Sequence, residues 1–190
     1  NNLIIMNDNV YCDVYFSKVR PPSIMQTNHA KDCAIEFHSF SKTFNMTGWR
    51  IGYAVGSKDL IRALKHIKMN TDSGVFLPIQ KAVIAGLRNI DNHIMQNNIM
   101  IKKRIDLLSE ILIEKGFEFH KPKATFYIFA KTLKKMKSVE FTKFLLREYG
   151  IVTTPGVGFG EKGDDFIRFS LTLNDKNLKE GIKRLKKLKV

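Results

Sequence analysis

The chain has little that would staple it, carry it through a bilayer or hold a metal ion. Its 190 residues include two cysteines, Cys12 and Cys33. They make no C-x-x-C pair and no metal-ligand spacing, which argues against a disulfide scaffold or a zinc module. Free thiols fit a reducing, cytoplasmic compartment. The five histidines, His29, His38, His66, His93 and His120, are scattered, with no pair at helical ligand spacing, so no metal site is expected. No apolar run approaches the ~20 residues that span a membrane, and the N-terminus does not read as a signal peptide. Acidic residues are scarce, with 18 against 32 lysines and arginines, for a net charge of +14. That balance raises the possibility of a basic nucleic-acid-binding module. The lysines are nevertheless spread along the chain. Their two clusters, Lys131–Lys137 and Lys183–Lys189, read as solvated faces. Neither a nucleic acid nor a membrane is expected as a partner.

What is present is an ordinary globular composition, 44% apolar, with helical and extended patterns in alternation. Leu3–Met6 reads as a buried parallel strand, an unusual way for a chain to begin and a sign of a piece of something longer. A loop follows over Asp8–Phe16, then a turn or extended stretch at Pro21-Pro22. Ala34–Phe37 and Ile51–Val55 read as strands. Ser57 stands where it can cap a helix over Lys58–Met69. Thr71–Pro78 is expected to break that helix, and Gln80–Arg88 to resume it. From about Asn92 to Lys115, apolar residues at helical spacing (Ile101, Ile105, Leu108, Ile111/Leu112) predict one long helix ended by Gly116. Beyond it the pattern predicts strands at Phe117–His120, Thr125–Ala130, Ile151–Thr154 and Phe166–Leu171. Helices are expected at Ser138–Tyr149 and Asp175–Leu188. The reading is a layered α/β or α+β architecture, in two bodies over 1–97 and 98–190.

The segment Ser39–Gly56, S-F-S-K-T-F-N-M-T-G-W-R-I-G-Y-A-V-G, is the most informative. It sets Lys42 between small hydroxyl residues and Arg50 after a Gly-Trp step. The pattern resembles the cofactor-lysine motif of the fold-type I pyridoxal-phosphate (PLP) aminotransferases. A lysine that forms a Schiff base with an aldehyde cofactor needs its amine held beside a bound phosphate. Hydroxyls, backbone N–H groups and a guanidinium make such an anion site. On this resemblance Lys42 is the cofactor lysine and the general base of the proton transfer, and Ser39, Ser41 and Arg50 serve the phosphate. Read alone, Lys42 is an exposed lysine and the serines are capping residues.

PLP chemistry also needs a carboxylate under the pyridine nitrogen and a donor at the phenolic oxygen. Asp8-Asn9-Val10-Tyr11 supplies an acid and a phenol just past a strand end, where ligands bind in α/β folds. Asp8 is the expected pyridinium partner and Tyr11 the phenolic-oxygen donor, although an Asp there is also an ordinary turn residue. In F-I-R-F-S-L-T, Arg168 lies mid-strand between apolar neighbours, where an unpaired cation is costly. Its expected partner is the substrate's α-carboxylate or, structurally, an internal Asp or Glu. The Gly-rich run Thr154–Gly160 lacks the P-loop lysine pattern and reads as a mobile loop over substrate.

The resemblance to class I/II aminotransferases runs the length of the chain, through N-D-N-V-Y-C-D-V-Y-F, R-P-P-S-I-M, M-N-T-D-S-G-V-F-L-P-I-Q-K-A, P-K-A-T-F-Y-I-F and T-P-G-V-G-F-G. E-F-H-S-x-S-K, D-S-G-V-F and A-T-F-Y look most like the bacterial-type LL-diaminopimelate aminotransferases. Aspartate aminotransferases share the core but fewer of these details. The resemblance implies a fold-type I PLP transferase: 1–97 as the C-terminal part of the large mixed-sheet domain, and 98–190 as a small C-terminal α+β domain. It implies transfer of an amino group between an amino acid and a 2-oxo acid, in a homodimer whose active sites form at the subunit interface. Ser73 would then contact the partner subunit's substrate. The family's N-P-x-G motif, its N-terminal phosphate-loop residues, the ring that stacks on the cofactor and the asparagine beside the phenolic oxygen have no counterpart here. The chain is therefore expected to be a fragment, inactive alone.

Overall fold

A computed structural model describes residues 3–189. The chain divides into two compact units, Asn1–Asn98 and Ile99–Val190.

The first unit is built on a three-stranded sheet in the order β1-β2-β3. Strand β1 (Ile5–Asp8) runs parallel to β2 (Ala34–Ser39), with Ile5 opposite Ala34 and Asp8 opposite Phe37. The connection includes one helical turn, α1 (Ala30–Cys33). A second turn, α2 (Phe40–Thr43), follows β2 directly. Strand β3 (Gly52–Gly56) then returns antiparallel to β2. Strand β1 is parallel, as its apolar run predicts, but it is not buried: Ile5 is 44% and Met6 75% exposed. A continuous apolar run suits a strand covered on both faces. Among the described residues β1 lies at the sheet edge, paired only with β2.

Helix α3 spans Lys58–Met69, as its periodicity predicts. Ser57 holds the N-cap position, but its side chain makes no capping bond there. Its backbone N–H instead donates to Ala34 O at 2.8 Å, tying the helix start to β2. Helix α4 (Leu77–Leu87) begins earlier than expected, because Pro78 sits in its first turn. Proline lacks only an N–H that is unpaired there anyway, so it opens the helix rather than breaking it.

Two glycines of β3 are fixed by crowding. A Cβ on Gly56 (φ +154°) would lie 2.3 Å from Ala34 O, and one on Gly52 2.4 Å from His38 O. Gly56→Ala must therefore strain the backbone and part β3 from β2. A loss of about 3 kcal/mol is expected in chemical unfolding. Gly48→Ala, with nothing within 4 Å of its added Cβ, should fall within about 0.5 kcal/mol of the parent.

Helix α5 (Ile90–Glu114) passes through the boundary between the units. Gly116, at φ 77°, closes its end. The second unit carries an antiparallel sheet in the order β4-β6-β5, with β4 at Tyr127–Lys131, β5 at Thr154–Pro155 and β6 at Phe166–Ser170. Helix α6 (Ser138–Tyr149) lies between β4 and β5, and α7 (Asp175–Lys186) follows β6. The strands alternate cleanly. Ile128 and Ala130 of β4 and Ile167 and Phe169 of β6 are buried, as are Leu108 and Leu112, Phe141 and Leu145, and Leu178, Ile182 and Leu185. Tyr127, Phe129 and Arg168 take the opposite face. Phe117–His120, expected as a strand, contributes one bridge, Phe119 to Ala130. Strand β5 is shorter than the predicted Ile151–Thr154 and displaced, ending in Pro155 at the sheet edge, the place where a residue without N–H is tolerated.

Among the described residues no helix is long and apolar enough to cross a membrane. No three His, Cys, Asp or Glu side chains among them are grouped to hold a metal ion.

Candidate active site

In the first unit the chemistry-bearing residues gather where the parallel strands β1 and β2 end. Asp8 closes β1, and the Asn9 N–H donates to Phe37 O at 2.9 Å, extending the pairing one residue. The chain then turns through hydrogen bonds from Cys12 N–H to Asn9 O (3.2 Å) and Val14 N–H to Tyr11 O (3.0 Å). Asp8 is exposed and Tyr11 half-buried.

Past β2, Ser39 caps α2. Its backbone is extended (φ −137°, ψ 128°) and its hydroxyl accepts the Ser41 N–H at 3.2 Å. The capping role that serines favour is thus realised at Ser39, and the hydroxyl keeps its own proton to donate elsewhere. Ser41 is buried. Lys42, half-buried, extends Nζ to 5.6 Å from the centre of the Tyr11 ring, within the range of a cation–π contact. The segment after α2 folds back on it: Phe40 N–H donates to Ile51 O (3.2 Å) and the Thr47 hydroxyl to Ser41 O (3.4 Å). This brings Arg50 beside the serines. Arg50 is left-handed (φ 51°) and exposed, and its Nη1 donates to Thr47 O at 3.0 Å. Asp8, Tyr11, Ser39, Ser41, Lys42 and Arg50 thus share one end of the sheet. Ser73 does not join them: it lies in the exposed loop between α3 and α4, and no hydrogen bond of that cluster reaches it.

In the second unit Arg168 projects from β6. Its guanidinium stacks 4.1 Å from the Tyr127 ring centre and 4.6 Å from that of Phe159. Its Nε is buried and has no hydrogen-bond partner among the described residues. Among the described residues the ion pairs of the unit pass Arg168 by, so an internal Asp or Glu does not account for it. A planar cation lying over two rings with a donor unused has the chemistry to pair with a planar anion. The Gly-rich run before β6 winds into short 3-10 turns, Gly156–Phe159 and Glu161–Gly163. It is packed tightly at Gly156, where a Cβ would meet Gly163 O at 2.2 Å.

A family model described as aminotransferase class I and II matches residues 1–185. The chain belongs to the class I and II aminotransferases. It is 44% identical over 189 residues to an LL-diaminopimelate aminotransferase of Aquifex aeolicus, covering 100% of this chain and 49% of the relative. It is 43% identical over 185 residues to that of Natranaerobius thermophilus, covering 97% and 48%. An aminotransferase structure from Staphylococcus aureus superposes with a TM-score of 0.89 at 36% identity, over 96% of this chain and 48% of the other. The fold is that of the fold-type I PLP enzymes, and members of the aminotransferase family are PLP-dependent. The chain spans about half the length of the curated relatives it matches.

In this aminotransferase chain the site rests on a buried network that sequence reasoning passed over. Glu36, fully buried in β2, accepts from Asn7 Nδ2 (2.7 Å), the Ser23 hydroxyl (2.8 Å) and the Ile24 N–H (2.8 Å), and lies 2.7 Å from His38 Nε2. His38 Nδ1 is in turn 3.4 Å from Cys12 Sγ. Burial by itself would raise the Glu36 pKa, but the donors from Ile24, Ser23, Asn7 and Asn9 outweigh it and hold the carboxyl at about 2. Burial, reinforced by the neighbouring Asp13 and opposed by Arg20, pushes the Cys12 thiol up to about 11. It is therefore a packed thiol and no nucleophile. One signal existed in sequence: Glu36 and His38 sit two apart in an apolar strand and so face the same way. Asp13 and Thr43, described below, gave none.

The Glu36 carboxyl predicts an acid-sensitive fold. Its folded pKa lies below the ordinary glutamate value of 4.5. Its stabilisation is therefore complete above that value and is lost as pH falls from there toward about 2. The contribution is on the order of 3 kcal/mol. Urea-unfolding midpoints measured from pH 6 to pH 2.5 should fall steeply in the parent chain, whereas Glu36→Gln should start lower and show a flatter profile.

Proposed function

We propose that the whole protein to which this chain belongs is a PLP-dependent aminotransferase that moves an amino group from LL-diaminopimelate to a 2-oxo acid such as 2-oxoglutarate. The observation that carries this reading is the half-buried Lys42, set on a one-turn helix with its Nζ over the Tyr11 ring, at the strand end where Asp8 stands. The donor set fits the cofactor: an amine, an acid, a phenol, hydroxyls and a guanidinium lie on neighbouring segments. When bound, PLP supplies an aldehyde and an electron-poor ring.

The roles of this chain's residues follow from their chemistry. Lys42 is the residue that would hold the cofactor's aldehyde, and its amine would serve as the base that accepts and returns the Cα proton. Asp8 would hold a proton on the cofactor's ring nitrogen, and Tyr11 would donate to its phenolic oxygen. Ser39, Ser41 and Arg50 receive the phosphate. Arg168 grips the α-carboxylate that both the amino acid and the oxo acid carry. Residues 1–97 form the C-terminal part of the cofactor domain, and 98–190 the small domain. In a homodimer, Ser73 serves the partner subunit's substrate. The free thiols fit a cytoplasmic enzyme.

The LL-diaminopimelate reading is supported by the 43–44% identity to the LL-diaminopimelate aminotransferases of Natranaerobius thermophilus and Aquifex aeolicus. Aspartate and other common amino acids are the competing donors. Borohydride reduction of the whole protein with PLP, followed by peptide mass spectrometry, should fix a pyridoxyl group on Lys42. A label elsewhere, or none, defeats the proposal. Incubation with LL-diaminopimelate, aspartate and alanine separately, each with 2-oxoglutarate, decides the donor.

A further inference from the structure

We propose that Asp13 is a positioning residue for Lys42, acting through Thr43; the inference rests on the cofactor role proposed above for Lys42. Asp13 is 8% exposed and lies two residues past Tyr11. One carboxylate oxygen accepts the Thr43 hydroxyl at 2.6 Å, and the other pairs with the Arg20 guanidinium. Thr43, itself buried, is the residue after Lys42 and the last of α2.

A helix of four residues cannot hold its own shape, since a single turn fixes several dihedrals for one or two hydrogen bonds. Here the internal bond runs from Phe44 N–H to Phe40 O at 3.0 Å. The direction in which Lys42 leaves the backbone therefore depends on what grips its neighbours. Ser39 grips the start of the turn and Asp13 its end. Arg20 balances the charge of Asp13, so Asp13 bears on Lys42 by geometry and not as a counter-ion.

The loop that supplies Asp13 is held at the preceding residue as well. Glu36 lies 2.7 Å from His38 Nε2, and His38 Nδ1 lies 3.4 Å from Cys12 Sγ, so the imidazole bridges the buried carboxyl of β2 and the loop. Residues 12 and 13 are thus tied in succession to β2 and to α2. Tyr11 and the helical turn bearing Lys42 are joined into one body, and the 5.6 Å approach of Nζ to the ring is a consequence of that joint.

The test compares Thr43→Val, Thr43→Ser and Asp13→Asn by competitive acylation of lysine ε-amines in the whole protein without added PLP. Each lysine is quantified by mass spectrometry, with exposed Lys58 and Lys65 as internal standards and a melting curve for every variant. Thr43→Val keeps the shape and removes the hydroxyl. Lys42 acylation should rise roughly tenfold in Thr43→Val and Asp13→Asn, as for the loss of one charge-assisted hydrogen bond. It should stay at the parental rate in Thr43→Ser, and the standards should not move. A Lys42 rate unchanged in Thr43→Val overturns the proposal, whatever the melting temperature does. If Asp13→Asn fails to fold, the valine and serine pair decides alone. Borohydride fixation in the parent whole protein tests the cofactor reading separately: Lys42 that takes no pyridoxyl group defeats that reading, while the acylation rates still report whether Asp13 and Thr43 hold the side chain.

Discussion

Lys42→Arg is expected to abolish transamination, with a fall in kcat of roughly 10⁴-fold or more. The substitution keeps the positive charge and most of the side-chain volume. It removes the one property the proposed chemistry requires, an amine that can lose its proton and attack a carbonyl, because a guanidinium stays protonated at any accessible pH. The loss has two parts: covalent anchoring of the cofactor and the proton transfer that follows it. The arginine variant should therefore fail to fix a pyridoxyl group on reduction and also fail to turn over any PLP held by its phosphate. Stability should change little, since Lys42 is half-buried and α2 is held through Ser39 and Thr43. Lys58→Arg, on an exposed residue of α3, is the matched control and should retain parental activity. A Lys42→Arg protein with a tenth or more of the parental rate would remove Lys42 from the mechanism.

Arg168→Gln should cost roughly 10²–10³-fold in kcat/KM for amino-acid and oxo-acid substrates alike, most of it in KM. The guanidinium of Arg168 lies over the Tyr127 and Phe159 rings with a buried Nε that has no partner among the described residues. A bidentate hydrogen-bonded ion pair to a carboxylate is the interaction that arrangement is suited to, and glutamine cannot make it. Arg168→Lys should recover little, because an ammonium neither stacks on rings in the same way nor presents parallel donors. The stability readout separates this from a structural role. Removing an arginine that holds a fold together would destabilise it. Removing one whose buried donor is unsatisfied should leave the melting temperature level or raise it, since an unpaired buried polar atom is a cost to the folded state. Arg168→Met with parental kcat/KM and a much lower melting temperature would assign Arg168 to the fold.

How much of this was legible beforehand follows from where the information sits along the chain. The bounds of α3 and α6 can be read from the sequence because amphipathic period and end signals are local: Leu60, Ile61 and Leu64 after Ser57, and Phe141 and Leu145 before Gly150. The proposed cofactor residues share this property. Lys42 and Arg50 sit within one contiguous motif, and Asp8 and Tyr11 lie three apart at a strand end. Short strands were harder. Whether Phe117–His120 or Ile151–Thr154 becomes a ladder depends on the edge each meets, and β5 settles on two residues against Arg168 and Ile167. The exposure of β1 lies equally outside local pattern, since burial is a property of what packs against a strand.

The amino-acid sequence by itself determined the family, the longer helices and the residues proposed to touch the cofactor, all of which are written over short stretches where spacing and chemistry coincide. Only the tertiary structure decided what supports them. Glu36 meets Asn7, Ser23 and Ile24; Cys12 meets His38; Asp13 meets Thr43, thirty residues away. It also decided that Arg168 lies over two rings with no acid among the described residues to pair it. Such contacts join positions with no periodic relation, so they come into existence only when chain folding brings distant polar groups into one water-poor place, where each must find a partner or leave a donor unused.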